Sequence, residues 1–555
     1  MNKKVCSFPI LFALLALLIG TCAVVFPASA QAAPTSTGSI TVSGTVARSY
    51  DAYQIFSANV VDGDSDAKIA TDLAWASDAV RDAVLPVLHS AGMPNSQTTA
   101  QEAAEWLNTD SHLTSALSAQ LARSLQSSGA VSVALNAGTT AELPCGYWLI
   151  VADDDVIAQG EAGTAPIMAL VGGSAVTVKP KAATPKVSKH VLEDSTAAWQ
   201  KAADATVGDD LYWRLSATVP AGLTAYDTYA VRFVDTMSAG LDPSKVAASM
   251  RVYVAAGADG GFDAVSAGKD GRAGTEPARG WTDITAQCAT KVAADGTFTA
   301  RTGDLIAALG GADAFTAGAR VVAVYNAPLS SACNHGIAKG NPNEVYLRYP
   351  RSPFADQSGD AGFTRTPSDD ACAYTWDLAL TKRGSDGDKP LAGAVLSIAD
   401  DRGRTLAADG TWDTEGKATV TTGEDGRVTV SGVDSGKLEV RELKAPKGYT
   451  AFEGTRSVTV KAEGLDVDQV AAAKPKLTIT AESPLRADSA DGSTGSLEAS
   501  LINTPTGTPP SITTGGFMPS TGDMAMYAAA AAAVAGAALI VVALLVKRGG
   551  GSHKE

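Results

Sequence analysis

Residues 524–546 carry no charge, and Lys547 and Arg548 follow them at once. A run of that length can cross a bilayer as a helix. A basic pair directly behind it marks the cytoplasmic side, so 547–555 reads as a basic cytoplasmic tail. A chain built this way must fold its remaining residues after export. The other end agrees. Lys3 and Lys4 precede an almost wholly apolar stretch over 9–26, and Ala28-Ser29-Ala30 supplies a small-x-small pattern, so 1–30 is expected to be a signal peptide cleaved after Ala30. Cys22 raises a lipoprotein alternative, against which stands Thr21, where a small Gly, Ala or Ser is usual.

At 555 residues the chain is too long for one hydrophobic core and is expected to form about three or four domains. Aromatics make up only 6%, which favours modest β-rich modules over one large core, and the net charge of −15 argues against a nucleic-acid partner. Beyond the leader, which holds Cys6, the cysteines are Cys145, Cys288, Cys333 and Cys372. An even set in an exported chain permits disulfides whose pairing the sequence leaves open, and Cys288 with Cys333 is one candidate staple. Unpaired buried thiols are the alternative. Histidines are few, and neither a metal-ligand spacing, a Cys-x-x-Cys pair, a Ser-His or Cys-His pair, nor a phosphate loop is evident, so no metal or cofactor is expected.

Three modules lie between the ends. In the first, 31–180, residues 39–46 alternate as a strand does. Thr99 and Glu102 form a capping box for a short helix through Trp106. Leu113, Leu117, Leu121 and Leu125 make an i, i+4 stripe read as the buried face of another helix. Residues 146–151 return to strand. The expectation is a β-sandwich with helical insertions. In the second, 181–372, strand-like alternation recurs over 211–219, 229–234, 250–255, 320–325 and 343–349, separated by Gly, Asp and Pro turns, as in an immunoglobulin-like sandwich. The third covers 373–505, and a Pro/Thr/Gly linker over 506–517 follows.

Several stretches carry a resemblance. Met518-Pro519-Ser520-Thr521-Gly522, the apolar span and the basic tail together resemble a sortase sorting signal of LPXTG type, with Met518 in place of Leu. "AYQIFSANV" and "LPCGYWLIVA" resemble the N-terminal domain of actinobacterial fimbrial subunits, and "TPKVSKHV", "FVDTMSAGL" and "GNPNEVYLRY" resemble the isopeptide-forming domain of fimbrial proteins. "LALTKRG", "PLAGAVLSI", "KLEVRELKAPKGY" and "LINTP" follow one another at the spacing of a Cna B-type domain, an inverse-immunoglobulin sandwich, and the third of them matches the pilin E-box.

The resemblance implies chemistry for particular residues. In the third module Lys382, Glu442 and Asn503 would form an intramolecular isopeptide bond. Burial among apolar side chains disfavours both charged forms, leaving a neutral amine and a protonated carboxyl that can polarise the Asn carbonyl. A surface Lys-Glu pair with a capping Asn is the bland alternative. In the second module Lys189 and Asp235 occupy the matching positions. The Asn expected at the end of the last strand is missing from Tyr349-Pro350-Arg351-Ser352-Pro353, and Asn343, or else Asn341, is the nearest substitute. Lys181, in "VTVKPK", resembles a pilin-motif lysine with Lys179 in the place of Tyr. Pro180 keeps that stretch out of helix.

These readings imply a structural protein rather than an enzyme: a sortase substrate, joined to other pilin subunits and to peptidoglycan as part of a cell-surface fimbria. A sortase cysteine would cleave between Thr521 and Gly522, and Lys181 of the next subunit would accept the acyl group. The rival is a monomeric wall-anchored adhesin or accessory pilin, which keeps the sorting signal but does not need Lys181 and would contact a receptor on a host or bacterial surface.

Overall fold

The computed structural model describes residues 36–44, 48–64, 67–109, 112–153, 157, 160–180, 184–221, 223–257 and 280–507. The leader, Lys181, residues 508–517 of the linker, the 518–522 motif, the 524–546 span and the basic tail lie outside the described residues. The fold is mainly β, with three sandwich-like modules in series.

The first module is organised by its most apolar strand, Gly146–Ala152. Alternation sends Trp148 and Ile150 to one side and Leu149 and Val151 to the other, and both sides are covered. One side packs on a three-stranded sheet in which Thr37–Val42 runs antiparallel to Thr140–Pro144 and parallel to Val176–Val178. The other packs on three helices, Asp78–Ser90, Ala100–Leu107 and Ser115–Ser128. The capping box at Thr99 and Glu102 is present. The leucine stripe is shorter than expected. Thr114 caps the last helix by accepting from the Leu117 amide, so Leu113 lies before the helix, and Leu117, Leu121 and Leu125 form its buried face. The Asp78–Ser90 helix is not among the sequence expectations; Pro86 is an exposed interior residue of it, and Val80, Val84 and Leu88 anchor it.

The second module sets a six-stranded and a seven-stranded sheet face to face. One includes Val187–Glu193, Tyr212–Thr218 and Arg320–Asn326; the other includes Asn341–Pro350, Arg232–Met237 and Thr297–Arg301. Trp213, Leu215, Phe233, Phe298, Tyr325, Val345 and Leu347 fill the space between them. The strand expected over 229–234 begins three residues later. The amides of Tyr229 and Ala230 are taken by the side chains of Asp304 and Gln357, so neither is left for a ladder.

In the third module the first strand, Trp376–Gly384, and the last, Ser496–Pro505, are parallel neighbours, with Lys382 opposite Leu501 and Gly384 opposite Asn503. The facing sheet contains Val395–Ala399, Gly436–Lys444 and Thr455–Glu463.

Both junctions are specific. Between the first two modules, the Gly163 amide donates to the Arg351 carbonyl at 2.6 Å and Tyr349 donates to the Glu161 carbonyl at 2.7 Å. A Cβ on Gly163 would lie 2.7 Å from that of Ser352, so only glycine allows this approach. Between the second and third, Asp204 Oδ2 accepts from Trp376 Nε1 at 2.6 Å and from the Ser435 amide and hydroxyl, while Arg404 holds Asp209 and Asp400. Glu193, Asp194 and Asp434 crowd the same junction, with Arg402 reaching Asp194 at 3.3 Å.

Burial and the neighbouring Asp204 push Glu193 from 4.5 up to about 7, and burial likewise raises Asp194 and Asp434. The folded state therefore favours the protonated forms. For Glu193 that stabilising preference is fully present below about pH 4.5 and is lost as the pH rises through about 7. Calorimetry of the exported chain should show the second and third modules losing on the order of 2 kcal/mol between pH 4.5 and 7.5, and Glu193→Gln should flatten that slope.

Candidate functional site

Three strands of the third module each bury a row of apolar side chains at every second position, and each row ends on a polar residue. Along the first strand the row is Trp376, Leu378, Leu380 and then Lys382; along Gly436–Lys444 it is Leu438, Val440 and Glu442; along the last strand it is Leu497, Ala499, Leu501 and Asn503. Pleating delivers the three polar groups to one end of the same core. Lys382 is 0% exposed. Its Nζ donates to the Leu501 carbonyl at 3.1 Å and lies 3.7 Å from Glu442 Oε1. Asn503 Nδ2 donates to Glu442 Oε1 at 2.8 Å and Oε2 at 3.0 Å, and Oε2 also accepts the Phe452 amide. Asn503 Oδ1 is buried with no partner. The expected carboxyl-to-carbonyl hydrogen bond is thus replaced by an amide-to-carboxyl one. Turning the carboxamide over would bring the orphaned Oδ1 to face the Glu442 carboxyl in place of Nδ2.

The second module repeats the arrangement across its two sheets. Lys189 precedes Val191 in the inward row of its strand; Asp235 lies between Phe233 and Met237; Asn343 precedes Val345 and Leu347. Lys189, Asp235 and Asn343 are all 0% exposed. Lys189 Nζ donates to Asp235 Oδ2 and, at 2.8 Å, to the Tyr325 hydroxyl. Tyr325 donates to Asp235 Oδ2 at 3.1 Å and accepts from Asn343 Nδ2 at 2.9 Å. Of the two substitutes for the missing asparagine, the structure brings Asn343 to the lysine. Asn341 is committed elsewhere, exchanging hydrogen bonds with the Asn334 backbone and donating to the Ala373 carbonyl. Sequence reasoning did not single out Tyr325 or Trp213, whose rings stand 5.3 and 5.4 Å from Lys189 Nζ. The signal was available, since Tyr325 continues the inward row of Val321 and Ala323.

Burial pulls both lysines from 10.5 down to about 8, against the opposing pull of Asp235 on one and Glu442 on the other. Burial also raises Asp235, opposed by Lys189. The shifts favour a neutral amine, which is a nucleophile, and in each site the lysine shares a partner with a carboxamide, Glu442 in one and Tyr325 in the other. Attack by Nζ on the Asn Cγ would form an amide and release ammonia.

Other candidates fall away. The four cysteines outside the leader are free thiols, so the Cys288–Cys333 staple is not formed. Burial pushes Cys288, Cys333 and Cys372 up to about 11. Contrary to the sequence reading, the fold does create a Cys-His contact: Cys333 Sγ lies 3.6 Å from His335 Nε2, and His335 Nδ1 lies 2.8 Å from Asp377. The raised thiol stays protonated at neutral pH. The neighbouring amides of Asn334 and Gly336 are already bonded, to Asn341 and Thr375. His190 is held neutral, burial and Arg214 pulling it down to about 4. Among the described residues no cluster of His, Cys, Asp and Glu is arranged to hold a metal ion, and no helix is long and apolar enough to cross a membrane.

Residues 377–474 match the family described as SpaA, a prealbumin-like fold domain. This segment contains Lys382 and Glu442 and stops short of Asn503. Over 129 residues the chain is 30% identical to the trypsin-resistant surface T6 protein of Streptococcus pyogenes serotype M6, a match spanning 22% of each protein. Solved structures with similarity include the T6 backbone pilin of the same serotype, at 17% identity over 85% of this chain and 98% of that one with a TM-score of 0.46. The full-length major pilin SpaD of Corynebacterium diphtheriae aligns at 16% identity over 86% and 100%, with a TM-score of 0.41.

Intact-mass spectrometry of the exported chain should show a deficit of about 17 Da for each Lys–Asn bond formed, the mass of the ammonia released. Glu442→Ala should remove the deficit that maps to the third module and leave any other in place. A full, uncorrected mass in the folded chain would sink both sites.

Proposed function

We propose that the chain is a shaft-forming subunit of a surface pilus, polymerised head to tail by sortase and anchored to peptidoglycan. The observation that carries this reading is the pair of buried Lys, carboxyl and Asn sets, one in each of two consecutive sandwiches. An intramolecular amide adds nothing to a catalyst or a transient binder. It matters to a protein that is pulled or exposed to proteases, because unfolding cannot pass a covalent tie. The named relatives, a trypsin-resistant surface protein and backbone or major pilins, point the same way.

Polymerisation needs an acyl donor and an acyl acceptor. The donor is the Thr521 carbonyl: a sortase thiolate attacks it, Gly522 leaves with the membrane span, and a thioester holds the subunit. The acceptor is Lys181 of the next subunit, or a peptidoglycan amine for the last. Lys181 follows Val176–Val178, the strand that closes the first module, and Lys179 just before it is exposed. An ordinary lysine titrates near about 10.4, so the sortase must take its proton or desolvate it before it can attack. Repeating the step gives a heterologous filament that does not close.

Boiled detergent extracts of cell walls, blotted for this chain, should show a high-mass ladder. Lys181→Arg should abolish the ladder while single subunits still reach the wall. Replacing Thr521 and Gly522 with Ala should abolish wall attachment as well. A ladder that survives both Lys181→Arg and Lys179→Arg would overturn the assignment of the acceptor, and a single wild-type band would favour the monomeric adhesin.

A further inference from the structure

The two candidate cross-linking sites differ in one respect that bears on how each would react. In the third module the carboxyl of Glu442 spans the site alone, 3.7 Å from the lysine nitrogen and hydrogen-bonded by the asparagine nitrogen. In the second module the acid is an aspartate, one methylene shorter. It touches Lys189 but makes no hydrogen bond to Asn343, and Asp235 Oδ1 and Asn343 Oδ1 are both buried without partners. The gap is filled by one hydroxyl. Tyr325 Oη accepts from Lys189 Nζ at 2.8 Å, accepts from Asn343 Nδ2 at 2.9 Å and donates to Asp235 Oδ2 at 3.1 Å.

We propose that Tyr325 is a catalytic residue of cross-linking in the second module, carrying a proton from the attacking lysine nitrogen to the departing asparagine nitrogen. The proposal rests on the reading that Lys189 and Asn343 become joined. With Lys189 neutral, its Nζ attacks Asn343 Cγ and a tetrahedral centre forms. Nδ2, no longer conjugated with the carbonyl, gains a lone pair. The Tyr325 hydroxyl turns from Asp235 toward Nδ2 and gives up its hydrogen, and the surplus proton on Nζ replaces it. The Cγ–Nδ2 bond breaks. One N–C bond is made, one is broken, one proton moves from Nζ to Nδ2, and ammonia leaves. Asp235 holds the proton that Lys189 sheds on becoming neutral and keeps the hydroxyl placed. Burial raises Tyr325 well above its ordinary value, so the group remains a hydroxyl with a hydrogen to pass rather than a phenolate. Its ring packs against Phe298, with centroids 4.8 Å apart, which fixes the oxygen in place.

The test is Tyr325→Phe in the full exported chain, followed by intact mass and by peptide mapping of a protease digest over time. Wild type should contain the Lys189–Asn343 branched peptide on first isolation. In Tyr325→Phe the third-module link should be complete, while the second-module link should form at least about 100-fold more slowly, the usual loss when a positioned proton carrier is removed. Tyr325→Phe combined with Asp235→Glu should recover much of the link, because the longer carboxyl can reach Asn343 as Glu442 reaches Asn503. That recovery separates a lost relay from a damaged fold. A Tyr325→Phe chain that cross-links as fast as wild type overturns the proposal, as does a double variant that melts like wild type yet stays unlinked. A wild-type chain with no second-module link would instead remove the reading on which the proposal rests.

Discussion

Two lysine amines sit where no water reaches them, and the sandwiches are arranged around that fact. A buried ammonium is costly, and a pair with one carboxylate repays the cost only with good geometry and full hydrogen bonding. Neither site meets that standard as it stands, because Asp235, Asn343 and Asn503 each keep an oxygen with no partner. An arrangement that is poor as an ion pair is well suited to reaction. Burial moves each amine toward its neutral form, and pleating places a carboxamide nearby. Once an amide forms, the charge that had to be desolvated is gone.

The placement of the ties follows from topology. In the third module they would join the first strand to the last, which already lie side by side in parallel. In the second they would join facing sheets, since Lys189 and Asn343 stand on different ones. A loop of about 120 to 150 residues closed in this way removes, by the chain-entropy account used for disulfides, roughly 5 kcal/mol of unfolded-state freedom. That is comparable to the whole stability of a small domain. A cysteine pair could do the same work, yet all four thiols described are free.

Much of this was legible in the sequence, and the reasons are local. Period-two alternation exposed strands such as Tyr212–Thr218 and Arg320–Asn326, and the resemblance carried by the stretches around Lys382, Glu442 and Asn503 pointed to those three residues. The Thr99 and Glu102 box fixed a helix start, because capping is a contact between residues close in the chain. Failures came where distant groups decided the outcome. The strand at Arg232 starts late because Asp304 and Gln357 capture the preceding amides. The Asp78–Ser90 helix tolerates Pro86 because its opposite face is buried against the sheet. Asn343 was the substitute read from its place on the strand, but its partner there, the Tyr325 hydroxyl, was not legible, because Tyr325 stands on another strand of the other sheet.

On the proposed linkage the ties also decide which residues bear load. Tension entering at Lys181 would reach Lys189 within one strand, cross to Asn343, run on to Lys382 and cross again to Asn503 before leaving for Thr521. Residues 190–342 and 383–502 would then be bypassed, free to vary in shape without lengthening the shaft. The first module would lie off the path altogether. Its partly buried Lys68 donates to the backbone carbonyls of Gly172 and Ser174 and pairs with Asp62. The stretch from Asn343 to Lys382 would be the one long folded segment under tension. Its far end is where Trp376 donates to Asp204, where the Gly336 amide donates to the Thr375 carbonyl, and where His335 meets Asp377. Stretching that segment would have to break these junction contacts and peel Asn341–Pro350, whose Val345 and Leu347 lie in the core, away from Arg232–Met237 beside it.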